Sequence, residues 1–371
     1  STYTGGGVAE ILSRMVPLLS QLGVDARWTT IKGGEGFFDV TKKFHNALHG
    51  RKEDISPEDF SVFMEVSKKN IEELSFQGDI IFIHDPQPVA LISKRKEIGE
   101  KWIWRCHIDV SNPDKRVWEF LRDFVIGYDA AIFSAPNFAQ QLPIRQFMIS
   151  PSIDPLSDKN REISQEIIDS VLNKYNLDKG KPIIAQISRF DYLKDPVGVI
   201  QAFEMVRKGM DCQLVLAGGT ATDDPESEKV LKEVMERASD NPDIHILLIP
   251  PESDIEINAL QRAATIVLQK SIKEGFGLTV TEALWKGKPV VASAVGGIPL
   301  QVKNKFTGLL CHSVDGAAYA IKRLLSNPEY ARWLGNNGSE HIRQNFLLTR
   351  HLKEYLLLFV SLYYNADEIY L

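Results

Sequence analysis

Segments with strand-like and helix-like spacing of apolar residues alternate along most of the 371-residue chain. In the first half, short apolar runs predict strands at Asp25–Thr30, Asp79–His84, Lys101–Ile108, Ala130–Phe133 and Gln146–Ile149. Apolar positions at helical spacing predict helices at Val8–Leu22, Pro57–Leu74 and Asp114–Val125. Such alternation is typical of a parallel sheet that is covered by helices.

The second half repeats this alternation more regularly. Its predicted strands are Pro182–Ser188, Gln213–Ala217, Ile244–Leu248, Thr265–Gln269 and Pro289–Ser293. Its predicted helices are Pro196–Lys208, Glu226–Ala238, Ile255–Ala264 and Leu278–Lys286. The nearly continuous apolar run Ile183–Ile187 is typical of a strand buried on both faces. The pattern therefore predicts an α/β protein with two parallel sheets.

The alternation breaks between residues 150 and 181, where two prolines and the polar stretch Ser157–Arg161 interrupt it. We therefore expect one domain at residues 1–155, a second at 156–348 and a C-terminal helix at 349–371. The opening residues, Ser1–Gly7, have the composition of a loop that follows a strand. We expect further residues upstream of them in the natural protein.

Composition narrows the classes of function. The net charge of −6 argues against a surface that coats nucleic acid. No apolar run is long enough to cross a bilayer. The cysteines, Cys106, Cys212 and Cys311, are odd in number and far apart, which indicates neither a disulfide framework nor a zinc site. This cysteine usage fits a reducing cytoplasm.

The strongest local signal is the glycine loop that opens the predicted helix at Leu278. Gly275 and Gly277 allow a ligand to approach the backbone closely, and the first amides of a helix favour an anion. Glu274 lies in the loop and Glu282 about one turn into the helix, so their carboxylates can reach different parts of an elongated ligand. A carboxylate accepts hydrogen bonds from two adjacent sugar hydroxyls. In the plainer interpretation, the acids only complement the helix dipole.

A second candidate follows the strand Pro182–Ser188. Ligands of open parallel sheets bind beyond the carboxyl ends of the strands. Arg189 and Lys194 are therefore placed where a diphosphate needs positive charge. The alternative is that they are solvated surface cations, paired with Asp191 and Asp195 at little gain in stability.

Two weaker signals lie in the first half. The run Gly5–Gly7 opens a helix and can cradle phosphate, although it lacks the G-x-G-x-x-G spacing of a dinucleotide site. His84 and Asp85 end one predicted strand, and His107 lies at the end of the next. A histidine there can donate to a sugar hydroxyl, but a lone histidine is more often structural. We find no His/Cys cluster with metal-ligand spacing.

Taken together, these residues resemble the retaining GT-B glycosyltransferases of group 4. The resemblance comprises the Glu-x7-Glu spacing of Glu274 and Glu282, the Gly-Phe-Gly-Leu between them, the Ser-Arg-Phe and Lys segment from Ser188, and an N-terminal Gly-Gly-Val. The stretch Trp28–Gly50, with His84–Pro88, is similar to the trehalose synthases of the glycosyltransferring type. These motifs cover both halves of the chain in the order of the family.

The resemblance implies two Rossmann-like domains whose parallel sheets face each other across a cleft. It also implies roles for residues. Glu282 would bind the ribose, Glu274 the transferred sugar, and Asp85 the acceptor. The implied catalytic residues are Glu274, His107, Arg189 and Lys194. The implied donor-binding residues are Gly6, Gly7, Arg189, Lys194, Gly275, Phe276, Gly277, Leu278 and Glu282.

The implied activity is the reversible formation of trehalose from ADP-, UDP- or GDP-glucose and free glucose, with retention of configuration. The acceptor would attack the face that the diphosphate has just left. Side-chain cations would neutralise the diphosphate, so no metal or other cofactor is required, with Mg²⁺ at most a stimulating ion. The last helix would cross back onto the first domain, and the aromatic residues in Phe359–Tyr370 permit a homodimer.

Several alternatives stay open on the sequence alone. A retaining trehalose phosphorylase would use the same cationic pocket, and another group-4 transferase would use a different acceptor. A nucleotide-sugar 2-epimerase fits the glutamate spacing less well. A non-enzymatic relative is expected to lose its charged site residues, which are present here. An oxidoreductase is disfavoured because the dinucleotide fingerprint is absent. The sequence does not specify the donor base, a free or phosphorylated acceptor, or the direction of the reaction.

Overall fold

The computed structural model describes residues 6–219, 225–250 and 252–366, which divide between two compact units. The first unit runs up to Pro151 and takes up the chain again at Thr349, and the second runs from Ser152 to Leu348. The division after Pro151 lies a few residues before the predicted boundary.

The first unit is built around a four-stranded parallel sheet in the order β1-β2-β3-β4. Its strands are β1 (Ile80–His84), β2 (Lys101–Cys106), β3 (Ala130–Phe133) and β4 (Arg145–Met148). Its first helices are α1 (Gly7–Gln21), α2 (Glu35–Leu48), α3 (Pro57–Glu73), α4 (Arg95–Ile98) and α5 (Lys115–Val125). The predictions for these strands and for α1, α3 and α5 are confirmed to within a few residues.

Aromatic side chains hold the helices of the first unit together. The rings of Phe44 on α2 and Phe63 on α3 lie 5.5 Å apart, and Phe120 on α5 lies 5.6 Å from Phe63. Aromatic pairs at these distances add to the gain from burial. Helix α3 also begins with a capping box, in which Ser56 and Asp59 each accept a hydrogen bond from the other's backbone amide.

One predicted strand of the first unit is wrong. Residues 25–30 alternate between exposed and half-buried positions, but they form no ladder with any described strand. A strand needs a hydrogen-bonded neighbour, and alternation alone does not supply one. The chain here is held instead by Asn70, whose side chain bonds the backbone N–H and C=O of Lys32, each at 2.7 Å.

The second unit contains a six-stranded parallel sheet in the order β10-β9-β8-β5-β6-β7. Its strands are β5 (Ile183–Ile187), β6 (Gln213–Gly218), β7 (Ile244–Leu248), β8 (Ile266–Gln269), β9 (Val290–Ser293) and β10 (Leu309–Cys311). Its helices are α6 (Gln165–Lys174), α7 (Pro196–Arg207), α8 (Pro225–Ala238), α9 (Asp254–Ala263), α10 (Leu278–Trp285), α11 (Ile298–Gln301), α12 (Val314–Leu325) and α13 (Pro328–Asn345). The strands and helices predicted here are confirmed.

The strand order of the second unit fixes where a ligand is expected. Neighbours β5 and β8 lie side by side, with Ile184 paired to Ile266. From β5 the chain builds β6 and β7 on one side, and it returns to build β8 to β10 on the other. This is the Rossmann order, and ligands bind outside the carboxyl ends of the strands where the order reverses. The loops after β5 and β8 are therefore the candidate site.

The last helix, α14 (Leu348–Tyr363), belongs almost wholly to the first unit. Tyr355 is buried, and its ring lies 5.1 Å from that of Phe82 on β1. Arg145 on β4 donates to Ser361 Oγ at 2.8 Å. In the described part of the chain, no helix is both long and apolar enough to cross a membrane.

Candidate functional site

The loop after β5 is set by two aspartate caps. Asp191 accepts a hydrogen bond from the amide of Leu193 at 2.8 Å and begins a short 3-10 turn that ends at Lys194. Asp195 has a positive φ of 49° and caps α7 by accepting from the amide of Gly198 at 3.1 Å. Aspartate tolerates this left-handed geometry better than most residues. The caps fix the backbone on both sides of Lys194.

Lys194 and Glu274 form an ion pair that joins the loops after β5 and β8. Lys194 Nζ lies 2.6 Å from Glu274 Oε2, and Ser271 Oγ donates to the same oxygen at 3.1 Å. The two side chains are only 19% and 9% exposed. The other carboxylate oxygen, Oε1, makes no hydrogen bond to a described residue. Both residues were predicted from the sequence, but their contact was not.

Close packing of glycines seats the loop that carries Glu274. A Cβ atom on Gly296, which has a φ of 55°, would lie 1.6 Å from the carbonyl oxygen of Glu274. Gly277 has a φ of 84° and precedes Leu278, the first residue of α10. Such backbone geometry favours glycine. The first amides of any helix lack acceptors in a preceding turn, as the predicted anion-binding role of Gly275–Leu278 requires, although the amide of Val280 already donates to the carbonyl of Gly277.

Glu282 lies on α10, apart from the Lys194–Glu274 pair. It is buried, and its Oε2 accepts a hydrogen bond from Gln261 Nε2 at 2.8 Å. Lys286 Nζ donates to the Oε1 of the same glutamine at 2.7 Å. The ribose-binding role of Glu282 stays a prediction.

Arg189 is the most exposed of the predicted charged residues, with 56% of its side chain accessible. Its guanidinium lies 3.2 Å from Asp191, which matches the plainer interpretation of a surface pair. Lys194 does not follow that interpretation, because Asp195 pairs with Lys270 instead. The structure thus separates two cations that the sequence grouped together.

Two residues at the candidate site of the second unit were not predicted from the sequence. Lys270 follows β8, is 9% exposed and forms its ion pair with Asp195. Gln186 lies on β5, where its Oε1 accepts from the amide of Lys270 and its Nε2 donates to the carbonyl of Lys194, both at 2.9 Å. Buried amides need such partners. The available signal was a glutamine inside the apolar run Ile183–Ile187.

The first unit brings its predicted polar residues together at the carboxyl ends of β1 and β2. His84 pairs with Arg105 in the strand register, which places His107 just beyond the sheet. His84 Nδ1 lies 2.9 Å from His107 Nε2. Asp85, with a φ of 73°, accepts a hydrogen bond from the backbone amide of His107 at 3.2 Å.

Burial and one buried cation set the charge of this cluster. Burial raises the pKa of Asp85 to about 6. Burial, with the nearby charge of Arg105, lowers the pKa of His84 to about 3 and the pKa of His107 well below its usual value. Arg105 is fully buried and donates only to Ser134 Oγ at 3.4 Å among the described residues. Both imidazoles are therefore neutral at neutral pH.

The glycine run precedes α1 as predicted. Gly6 has a φ of 82° and forms the N-cap, and Gly7 is the first helical residue. Gly5 and the residues before it lie outside the described part of the chain. In the described ranges, no group of three or more His, Cys, Asp or Glu side chains is placed to hold a metal ion.

Two family models match the chain. Residues 1–140 match the N-terminal domain of trehalose synthase, and residues 168–341 match the glycosyl transferases group 1 domain. The chain is 44% identical over 362 residues to trehalose synthase from Thermococcus litoralis, covering 96% of this chain and 88% of that protein. It is 42% identical to trehalose synthase from Rubrobacter xylanophilus, covering 98% of this chain and 89% of that protein.

A more distant relative is a trehalose phosphorylase from Grifola frondosa. It is 30% identical over 86% of this chain, which spans 50% of that protein. Among solved structures, an α,α-trehalose-phosphate synthase (UDP-forming) from Burkholderia vietnamiensis is 16% identical with a TM-score of 0.78, covering 97% of this chain and 95% of that one. A trehalose-6-phosphate structure from E. coli, bound with UDP-2-fluoro glucose, is 14% identical with a TM-score of 0.76, covering 96% of each chain. These likenesses confirm the predicted GT-B fold class.

Proposed function

The chain belongs to the trehalose synthase family of glycosyltransferases, and from this membership we propose that it makes trehalose reversibly from a nucleoside-diphosphate glucose and free glucose, with retention of configuration. The observation that carries the proposal is the Lys194–Glu274 pair at the point of the second sheet where the strand order reverses.

The second unit has the charges that a diphosphate donor requires. Lys194 and Arg189 follow β5, and the amides at the start of α10 add positive potential. When the diphosphate leaves, negative charge develops on it, and fixed cations lower the free energy of that transition state. Gly6 and Gly7, at the start of α1, would provide further amides for phosphate.

Glu274 suits a sugar-binding role better than a nucleophilic one. Its Oε2 already accepts from Lys194 and Ser271, which makes this oxygen a weaker nucleophile. Its Oε1 can accept a hydrogen bond from a hydroxyl of the transferred glucose. We therefore propose a front-face displacement in which the protein positions the substrates and stabilises the leaving group. In this scheme Glu282 binds the ribose hydroxyls.

The first unit provides groups for uncharged sugar. His107 would contact the donor glucose and Asp85 the acceptor. The neutral imidazole of His107 can donate or accept a single hydrogen bond, which matches a hydroxyl group. Asp85, whose pKa is raised to about 6 by burial, would accept from an acceptor hydroxyl in its ionised form.

We extend the proposal to the setting of the enzyme. All three cysteines, Cys106, Cys212 and Cys311, are free and buried, as a reducing cytoplasm would leave them. The exposed rings of Tyr363 and Tyr364, at the end of α14, support a homodimer. Donors of the ADP-, UDP- and GDP-glucose class fit the fold, and the E. coli neighbour holds a uridine sugar.

Purified protein incubated with each nucleoside-diphosphate glucose and free glucose tests the proposal. We expect trehalose and an equal amount of released nucleoside diphosphate from at least one donor. The relative from Grifola frondosa makes a phosphorylase the second candidate. Glucose 1-phosphate formed from trehalose and phosphate, with no product from any nucleotide donor, would establish that candidate instead.

A further inference from the structure

His84 and His107 form a closely bonded pair of rings at the end of β1 and β2. Their nitrogens Nδ1 and Nε2 lie 2.9 Å apart, and the ring centroids lie 5.2 Å apart with planes inclined by 18°. The far nitrogens, which are the ring nitrogens outside this contact, are Nε2 of His84 and Nδ1 of His107. They make no hydrogen bond to a described residue, and neither is a fully buried atom without a partner. Both can therefore meet a ligand.

The number of protons on the two rings restricts the hydrogen bonds that the pair can make to a ligand. A neutral imidazole carries one N–H, and the bond between the rings uses one proton. If His84 donates from Nδ1, His107 accepts at Nε2 and carries its own proton on Nδ1. If His107 donates from Nε2, His84 accepts at Nδ1 and carries its own proton on Nε2. Both rings are therefore always in the same tautomer, and the far nitrogens always present one donor and one acceptor.

We propose that His84 is a positioning residue for His107, and that the two rings act as one unit that offers a sugar one hydrogen-bond donor and one acceptor. This inference rests on the proposed function for the identity of the ligand. Adjacent hydroxyls of a hexose donate and accept in turn, so they match a pair with one group of each kind.

The surroundings of the pair support a fixed geometry. Asp85 holds the backbone of His107 through its amide, and the amide of Asp85 donates to the carbonyl of Arg105 at 2.8 Å. The ring of His84 also packs on Phe82, with centroids 4.4 Å apart. Burial and the charge of Arg105 keep the pKa of both histidines low, so the proton count above applies at neutral pH.

A double-mutant cycle tests the coupling. His84→Phe keeps an aromatic ring but removes the bond, and we expect kcat/KM for trehalose formation to fall about tenfold, the effect of one hydrogen bond. In the His107→Phe background the same change should cost less than about twofold. His84→Asn retains an amide near the position of Nδ1, so its kcat/KM should stay much closer to that of the unchanged protein than the kcat/KM of His84→Phe. Multiplying losses, or an Asn variant as poor as the Phe variant, would overturn the proposal.

Two controls separate function from structure. His312→Phe, an exposed site in the second unit, should leave kcat/KM unchanged. The tautomers can be read without activity, by 15N NMR of the protein labelled in histidine, with His84→Phe and His107→Phe as assignments. We expect the same tautomer for both rings at pH 7, and a change at His107 in His84→Phe.

The NMR result also distinguishes the two levels of inference. Opposite tautomers would overturn the paired unit, whatever the enzyme makes. A shared tautomer with signals that shift on adding glucose or trehalose supports the proposal. A shared tautomer that no sugar perturbs, in a protein that makes no trehalose, would remove the proposed function and the sugar-binding role of the pair together. If trehalose is made but the sugars leave both rings unperturbed, only the sugar-binding role falls.

Discussion

The carboxyl ends of the two sheets use opposite kinds of polar chemistry. In the second unit, charges are paired: Lys194 with Glu274, and Lys270 with Asp195. In the first unit, burial keeps His84 and His107 neutral, with lowered pKa values. A nucleoside diphosphate brings charge to its site, whereas the glucose units, both transferred and free, bring none. The contrast therefore matches each sheet to one part of the proposed reaction.

Removing the central cation is expected to have the largest effect. Lys194→Ala takes away positive charge from the proposed diphosphate site and leaves the carboxylate of Glu274 buried without its partner. We expect turnover to fall by orders of magnitude, measured as nucleotide release. Lys208→Ala, an exposed lysine that follows α7, is the matched control. Unchanged turnover in Lys194→Ala would show that the reaction does not need the paired charges of the second unit.

Glu274 separates sugar binding from nucleotide binding. Glu274→Gln removes the charge but keeps a side chain of the same shape, so the proposed contact to the transferred sugar should weaken. We expect turnover to fall by about a hundredfold or more, as is typical when a positioned electrostatic group is lost. Affinity for the free nucleoside diphosphate, measured by calorimetry, should change by less than about threefold. A large loss of nucleotide affinity would place Glu274 at the nucleotide instead.

A change at Gln186 tests whether its hydrogen bonds to the loops after β5 and β8 matter for activity. Gln186→Leu removes hydrogen bonds to the backbone of Lys194 and Lys270. We expect the free energy of unfolding to fall by about 2 kcal/mol, for two buried hydrogen bonds, and kcat/KM to fall about tenfold.

Gln213 provides a control for that experiment because it is equally buried on the neighbouring strand β6. Its side chain bonds the backbone of Asp178 and Lys181, at the opposite end of the sheet. Gln213→Leu should cost similar stability, measured by urea unfolding, with little change in kcat/KM. Equal losses of activity in both variants would reduce Gln186 to a structural role.

The last prediction concerns stability alone, at Asp85 in the first unit. The pKa of Asp85 is raised to about 6, so between pH 4 and 6 the folded state holds a proton that the unfolded state has lost. This group therefore lowers stability as pH rises through that window. Asp85→Asn should raise the free energy of unfolding at pH 7.5 by about 1–3 kcal/mol, at 1.36 kcal/mol per pKa unit. It should have no such effect at pH 4.

Asparagine is a fair replacement because it tolerates the positive φ of Asp85 and can still accept from the amide of His107. Thermal unfolding of both proteins across the pH range measures the difference. A variant that is less stable at pH 7.5 would show that the carboxylate is favourably solvated, and the contrast between the two sheets would lose its basis.

The sequence predicted elements best where the pattern was local. Strands β3 and β7 match their predicted bounds, since apolar runs bounded by turns determine them. The strand predicted at residues 25–30 was wrong because a strand also depends on a hydrogen-bonded partner elsewhere in the chain. Helix α2 was missed because its segment was assessed only as a motif.

For the candidate site, the sequence predicted single residues but not the contacts between them. Glu274 and Lys194 were found by their position after strands. Their contact depends on β8 lying next to β5, which no local pattern encodes. The bond between His84 and His107 likewise follows from the register of β1 on β2. Lys270 and Gln186 were missed because each is a single polar residue. Lys270 lies at the edge of an apolar run, and Gln186 lies inside one.

The glycine contacts behind the loops have a consequence for engineering donor preference. Any side chain at Gly296 would collide with the carbonyl of Glu274, and one at Gly218 would lie 1.8 Å from the carbonyl of Ser188. A library for donor preference would randomise side chains of the proposed donor site and leave both glycines unchanged. The codons for Gly218 and Gly296 should stay fixed, because most changes there would displace both loops and fill the library with inactive clones.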